Sequence, residues 1–271
     1  MQIRTDLALE AKELWENSPQ NTTKLHGVRA VERGRVTQVD ILNGEGAAAL
    51  GKPVGRYLTV ELPSYEGKLR EDAAELSREL TSLMGLEAKD RVLVVGLGNR
   101  SVTPDALGPE VLRRLFLTRH LLEALPEQFG ACRSVSAVAP GVLATTGIES
   151  LELVRGAVAH VRPDRVLCID ALAAGSMERL CRTVQCADAG IAPGSGVGNR
   201  RAAFSKESLG VPVFAVGVPT VVDGGGGMIV TPRDIDAQIR YLSALLAAAI
   251  NLALHPMFDY DDFTQFVPIY G

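Results

Sequence analysis

Two aspartates, Asp105 and Asp170, each follow a short apolar run. Val92–Val95 leads through Gly96-Leu-Gly-Asn-Arg-Ser-Val-Thr-Pro104 to Asp105, and Val166–Ile169 runs directly into Asp170. In open α/β sheets, ligands and chemistry collect outside the carboxyl ends of the strands. Two strands delivering carboxyl groups to one edge make a candidate acid/base pair. Like charges held close resist joint ionisation, so one group can hold a proton while the other accepts one. Each aspartate also has a structural reading. Asp105 can cap the helix that follows it. Asp170 is harder to explain in that way. The Val-Leu-Cys-Ile before it and the Ala-Leu-Ala-Ala-Gly after it would bury a charge at high cost unless it were partnered.

Glycine-rich loops accompany both carboxylates. Gly96 and Gly98, followed by Asn99, suit a tight strand-to-loop turn with close backbone approach. They do not complete a dinucleotide fingerprint, because Ser101 stands where the third glycine is needed and Pro104 interrupts the helix start. A second loop holds Gly194, Ser195, Gly196, Gly198 and Asn199. Exposed N–H groups there can hold an oxyanion, a phosphate or an extended peptide backbone. A third loop, Gly217–Gly227, contains Asp223, which an ordinary turn explains equally well.

No G-x-S-x-G elbow and no HExxH motif occurs, and the histidines at 26, 120, 160 and 255 are scattered. The cysteines at 132, 168, 181 and 186 show no CxxC spacing. No metal and no cofactor is expected. A metal-dependent reading would have to rest on Asp105 and Asp170 alone, a thin ligand set.

The elements that must position these residues alternate in type. After residue 90, apolar runs at Val92–Val95, Ser134–Val138, Val166–Ile169, Thr183–Cys186 and Val213–Val218 read as strands. Helices are expected at Pro109–Leu122, Ile148–Val161 and from Thr231-Pro232 to Leu254. This pattern predicts an α/β fold in three layers, a mostly parallel sheet with helices on both faces. Residues 1–90 read as a helical and short-strand region packed on that core, with residues 91–271 as the catalytic core. In the first part, a helix is expected at Leu7–Glu16 and another at Leu69–Leu83. Strands are expected at Val36–Leu42 and Arg56–Leu62, separated by turn material at Asn43–Gly51.

The totals exclude several classes. A net charge of -4 over 271 residues gives no basic footprint for direct nucleic-acid binding. Charges in Met1–Glu10 oppose a signal peptide. Tyr241–Leu254 is shorter than the ~20 apolar residues of a spanning helix and reads as a core helix, so no membrane partner is expected. A cytoplasmic protein with reduced thiols follows.

Five ordered blocks carry a resemblance. Arg4-Thr-Asp-Leu-Ala-Leu-Glu-Ala11, Gly96–Asn99 with Val102–Pro109, Ile169-Asp-Ala-Leu-Ala173, Pro193–Asn199 and Gly217–Asp223 closely resemble the spore germination protease family. The resemblance implies a fold like that of hydrogenase-maturation proteases. It also implies an atypical aspartic endopeptidase that degrades small acid-soluble spore proteins in the spore core during germination. It carries the family's two functional aspartates onto Asp105 and Asp170. A homotetramer is implied, made as a zymogen and activated by loss of an N-terminal prosegment. Ala192 stands where the family commonly has histidine, and Gly224–Ile229 make a direct connection where many relatives carry a helical stretch. An inactive peptide-binding relative and a metal-dependent maturation-type protease are the alternatives.

Overall fold

Runs rich in Val, Ile and Leu form the strands, and the alternation of their side chains builds two separate apolar layers. The computed structural model describes residues 4–21, 24–62, 68–198, 201–225 and 228–266. The strands are β1 (Val28–Arg33), β2 (Val36–Ile41), β3 (Gly55–Glu61), β4 (Val92–Gly96), β5 (Val135–Val138), β6 (Arg165–Ala174), β7 (Thr183–Ala187), β8 (Val213–Gly225) and β9 (Met228–Val230). They form one nine-stranded sheet in the order β1-β2-β3-β7-β8-β6-β4-β5, with β9 paired to β8.

The sheet is mixed. Strands β8, β6, β4 and β5 pair in parallel. From β8 outward, β7, β3, β2 and β1 alternate in direction. Counted by direction, six of the nine strands run the same way.

In β4, Val92 and Val94 join the larger core, while Leu93 and Val95 join a second cluster on the other face. The first face is covered by the Leu69–Met84 and Ile235–Leu254 helices, whose apolar residues are buried in that core. On the second face, Leu151 and Val154 of the Ser150–Val161 helix pack beneath β4 and β6. The Ala8–Glu16 helix covers β2 and β3 through Ala8, Leu9, Val39, Ile41 and Tyr57. This is the expected three-layer α/β arrangement. Among the described residues one helix, Ile235–Leu254, is long and apolar enough to cross a membrane, and it lies buried in this core.

Several local expectations change. The continuous helix expected at Pro109–Leu122 is two pieces, Leu107–Leu112 and Arg119–Ala124. The chain between them dives into the core. Asn251 Oδ1 accepts from Phe116 N–H at 2.9 Å, and the buried Thr118 hydroxyl donates to Arg133 O at 2.5 Å. Tertiary hydrogen bonds replace those of a continuing helix. The turn material around Asn43–Gly51 contains a short helix, Gly44–Leu50, with Asn43 accepting from Gly46 N–H and Gly51 closing it at φ +63°. β8 continues past Pro219, and the last helix starts at Ile235.

Glycines bring the Leu107–Leu112 helix onto the sheet. A Cβ on Gly108 would clash with Leu97 O and lie 2.6 Å from Leu97 N and 2.7 Å from Ile169 O. All three are backbone atoms, so the helix would have to lift away from β4 and β6. Gly108→Ala is therefore expected to destabilise the fold by about 1–3 kcal/mol. Urea unfolding of the variant against the parent chain checks this, and an unchanged midpoint would refute the close-contact argument.

Candidate active site

Asp170 lies within β6 and is only 4% exposed. Its Oδ1 accepts from Ala171 N–H at 3.0 Å. Burial, then the charge of Asp105, then that of Asp6 push its pKa well above the usual carboxylate range, against the opposing Ala171 hydrogen bond. The neighbouring Cys168 thiol is also pushed up, by burial and then by the charge of Asp170.

Asp105 ends a short 3₁₀ turn, Thr103–Asp105. It does not cap the following helix. Its Oδ2 instead reaches back to Asn99 N–H at 2.7 Å. Partial burial raises its pKa, and the Asn99 hydrogen bond opposes that shift. Gly98 makes this geometry possible. Its φ is +109°, and a Cβ there would collide with Asp105 O and lie 3.0 Å from Asp105 Oδ1. From β8, the buried Thr220 hydroxyl donates to Pro104 O at 2.7 Å, and Thr231 Oγ1 donates to Thr220 O at 2.8 Å. These bonds hold the Asp105 turn against the long strand.

The other residues singled out in the sequence divide into groups. Gly96 ends β4, where a Cβ would come within 2.7 Å of Gly108 O. Asn99 spends its side chain locally, Oδ1 accepting from Ser101 N–H at 3.0 Å. Gly194 and Gly198 adopt φ of +73° and +77° around the Ser195–Val197 turn, and Gly196 presses against the Asp6 carboxylate and Ala173 Cβ. Ser195 Oγ donates to Asp6 Oδ1 at 2.5 Å. Asn199 lies outside the described residues. Asp223 pairs with Ile229 across the β8–β9 hairpin. It lies six residues beyond Gly217, the β8 partner of Asp170. That separation is about 20 Å along the strand, so Asp223 does not join the pair.

Asp6 and Gln185 were not among the sequence candidates. Asp6 is the second carboxylate, after Asp105, that acts on Asp170. Gln185, buried on β7, donates from Nε2 to Asp6 O at 3.1 Å and accepts at Oε1 from Ala8 N–H at 2.7 Å. Asp170 on β6 and Gln185 on β7 both pair with Gly217 on β8. Paired residues share a face, so the glycine leaves a gap between an acid and an amide roughly 10 Å apart. A cleft of about 2090 Å³ opens here, with Asp6, Leu172, Gln185, Ser195 and Gly217 among its walls. Asp105 and Asp170 are not themselves wall residues; Leu172 and Gly217 are the nearest wall neighbours of Asp170 along β6 and β8. Among the described residues, no set of three or more His, Cys, Asp or Glu is placed to share a metal ion.

The structure thus has an α/β sheet, a buried carboxyl group on which two other acids act, and a glycine-lined cleft beside it. The germination protease family model, peptidase family A25, matches residues 8–227. The germination protease of Clostridium perfringens (strain ATCC 13124) is 38% identical over 98% of this chain and 99% of its own. That of Caldanaerobacter subterraneus is 42% identical over 94% of each. That of Priestia megaterium is 46% identical over 88% of this chain and 68% of its own. The chain belongs to the germination protease family. The Clostridium perfringens alignment spans 323 residues against a chain of 271, so that relative carries segments this chain lacks. Among solved structures, a NiFe hydrogenase maturation protease of Thermococcus kodakarensis covers 64% of this chain and 99% of its own, with 22% identity and a TM-score of 0.39.

The electrostatics of Asp170 carry a stability consequence. Its folded pKa lies above its unfolded value. Between those two values the unfolded chain has released the proton that the folded chain retains. Stability is therefore greatest below the unfolded pKa and falls as pH rises toward the folded one. Asp170→Asn is expected to flatten this decline and to melt higher than the parent at neutral pH. Melting temperatures of both proteins from pH 4 to 8 check it, and parallel curves would refute it.

Proposed function

We propose that the chain is an endopeptidase that hydrolyses small acid-soluble spore proteins during germination, using Asp105 and Asp170 as a paired acid and base. The observation that carries this reading is a buried Asp170, on which the charge of Asp105 acts, paired across the sheet with Gly217 in the wall of a peptide-sized cleft. The Asn99 N–H favours the ionised form of Asp105. Asp105 therefore takes the proton from the attacking water. Asp170, held protonated by burial and by its acidic neighbours, donates to the departing amide nitrogen. The glycines of the 194–198 loop allow backbone N–H groups to approach the carbonyl oxygen closely.

Membership of the family and the resemblance of the five sequence blocks support the rest of the reading. The substrate is a spore protein, the compartment is the cytoplasm of the forespore and spore core, and the enzyme assembles as a homotetramer. It is made as a zymogen that loses an N-terminal prosegment.

Asp105→Asn and Asp170→Asn are each expected to slow cleavage of a purified small acid-soluble spore protein at least about a hundredfold. Circular dichroism should show intact folding in both, and mass mapping of the products reports the peptide bonds cut. Prior dialysis against a chelator should leave parental turnover unchanged. Normal turnover by either variant would sink the paired mechanism, and metal-restored activity would redirect it.

The pH dependence of kcat/KM should be bell-shaped. The acid limb reports uptake of a proton by Asp105, and the alkaline limb reports its loss from Asp170. Asp170→Asn should remove the alkaline limb from any residual activity, and retention of that limb would assign it elsewhere.

A further inference from the structure

β6 outlasts its neighbour β4. The two pair only as far as Gly96 and Ile169, and Leu97 N–H makes the last bond, to Ile169 O at 2.8 Å. The chain then turns away through Gly98 toward Asp105. β6 continues to Ala174 with β8 on its other side. In a parallel strand, alternate residues turn both N–H and C=O toward the same neighbour. Ile169 faces β4, so Ala171 and Ala173 face the space β4 has left. The register shift beside Leu172 inserts Thr220 into β8 and leaves the alternation along β6 intact. Among the described residues, no strand pairs with this edge beyond Ile169.

What lies on the edge is a piece of the chain itself. Asp6 N–H donates to Ala173 O at 2.8 Å, and Ala173 N–H donates to Asp6 Oδ2 at 2.9 Å. Gln185 Nε2 then takes Asp6 O, and Gln185 Oε1 takes Ala8 N–H. Beyond Ala174, the N–H groups of Gly175 and Ser176 are already held by the Glu10 carboxylate, at 2.6 and 3.1 Å, which closes the far end. The near end leads to Asp170, on which Asp6 acts electrostatically.

We infer that the edge of β6 at Ala171 and Ala173, with the Gln185 amide, is a docking rail for an extended peptide main chain, the substrate strand of the endopeptidase. That strand takes the place of the chain's own Arg4–Asp6 segment and of the Asp170 carboxyl group now holding Ala171 N–H. The inference rests on the endopeptidase reading for the identity of the occupant and on the seated Arg4–Asp6 segment for the mode of binding. Strand addition draws affinity from backbone hydrogen bonds and leaves selectivity to side pockets. Here the pocket is the cleft walled by Leu172, Ser195 and Gly217. The rail also aligns the bound chain beside both carboxyl groups.

The test uses the full chain carrying Asp6→Ala, to loosen its own segment, and Asp105→Asn, to stop turnover. The probe is the blocked hexapeptide Arg-Thr-Asp-Leu-Ala-Leu. Two further versions carry an ester in place of the amide N–H at Asp or at Thr, and a fourth carries a photoreactive residue for adduct mapping. The parent peptide should bind, the Asp ester should bind roughly tenfold more weakly, and the Thr ester should match the parent. The photoreactive peptide should label residues 170–175. No binding of the parent peptide, equal binding of the Asp ester, or labelling of another edge such as Met228–Val230 would overturn the rail. Cleavage of spore protein by the unmodified chain is scored separately. Turnover with labelling elsewhere defeats the rail alone, and labelling of the rail without turnover defeats the endopeptidase reading alone.

Discussion

Placing an ionisable group on an interior strand of a sheet covered on both faces is the constraint around which this molecule is arranged. The strand of Asp170 is flanked by β4 as far as Ile169 and by β8, whose Gly217 pairs with Asp170 itself. Ile169 beside it is fully buried in the larger core, and Cys168 is fully buried in the second. A carboxylate isolated there would cost several kcal/mol, which pushes its pKa well above the usual carboxylate range. Its Oδ1 accepts a hydrogen bond from the adjacent Ala171 N–H, and the charges that act on it are those of two acids, Asp105 and Asp6. Burial and both neighbouring acids disfavour charge on Asp170, and the Ala171 N–H alone opposes them. Burial and the neighbouring acids thus favour the neutral carboxyl, which is the form the proposed general-acid role requires.

Asp105 depends on the same arrangement by a different route. It sits on a turn that three contacts hold in place: the Asn99 N–H, the hydroxyl of Thr220, and the glycine at 98 that lets the backbone double back. Gly96 and Gly108 let the following helix rest directly on β4 and β6. A side chain at any of these glycines would displace the turn that carries the second carboxyl group. The glycines flanking Asp105 thus fix where the second acid sits against β4 and β6, while burial is the leading cause of the raised proton affinity of both.

Asp105 and Asp170 were legible in the sequence because a continuous apolar run before a charged residue has few structural explanations. The layered α/β fold followed from the same runs, because strand and helix periods differ clearly in this chain. Asp6 left no such mark. Its contacts with Ala173, Gln185 and Ser195 join positions 167 to 189 residues apart, and no local pattern reports a partner at that distance. Gln185 was equally silent, since an amide in a short strand reads as an ordinary polar residue. The break in the helix after Leu112 had the same origin. Asn251 and Arg133, far along the chain, supply the hydrogen bonds that divert it.

β8 is where these separate requirements meet. On one side it pairs in parallel with β6, which carries Asp170, and on the other it pairs antiparallel with β7, which carries Gln185. Gly217 is the residue in register with both. A Cβ at that position would come within 2.7 Å of both Asp170 O and Leu172 Cγ. The glycine therefore does two things at once. It lets β8 lie close against β6, and it leaves open the strip of surface between the acid and the amide. A purely parallel sheet would extend beyond β8 with another strand of the same direction and a crossover helix over its face. The antiparallel β7 needs no such crossover at this edge, so the cleft beside Gly217 stays open. The change of strand direction at β8 is thus the structural reason that a buried acid and an open groove can share one residue's width of sheet.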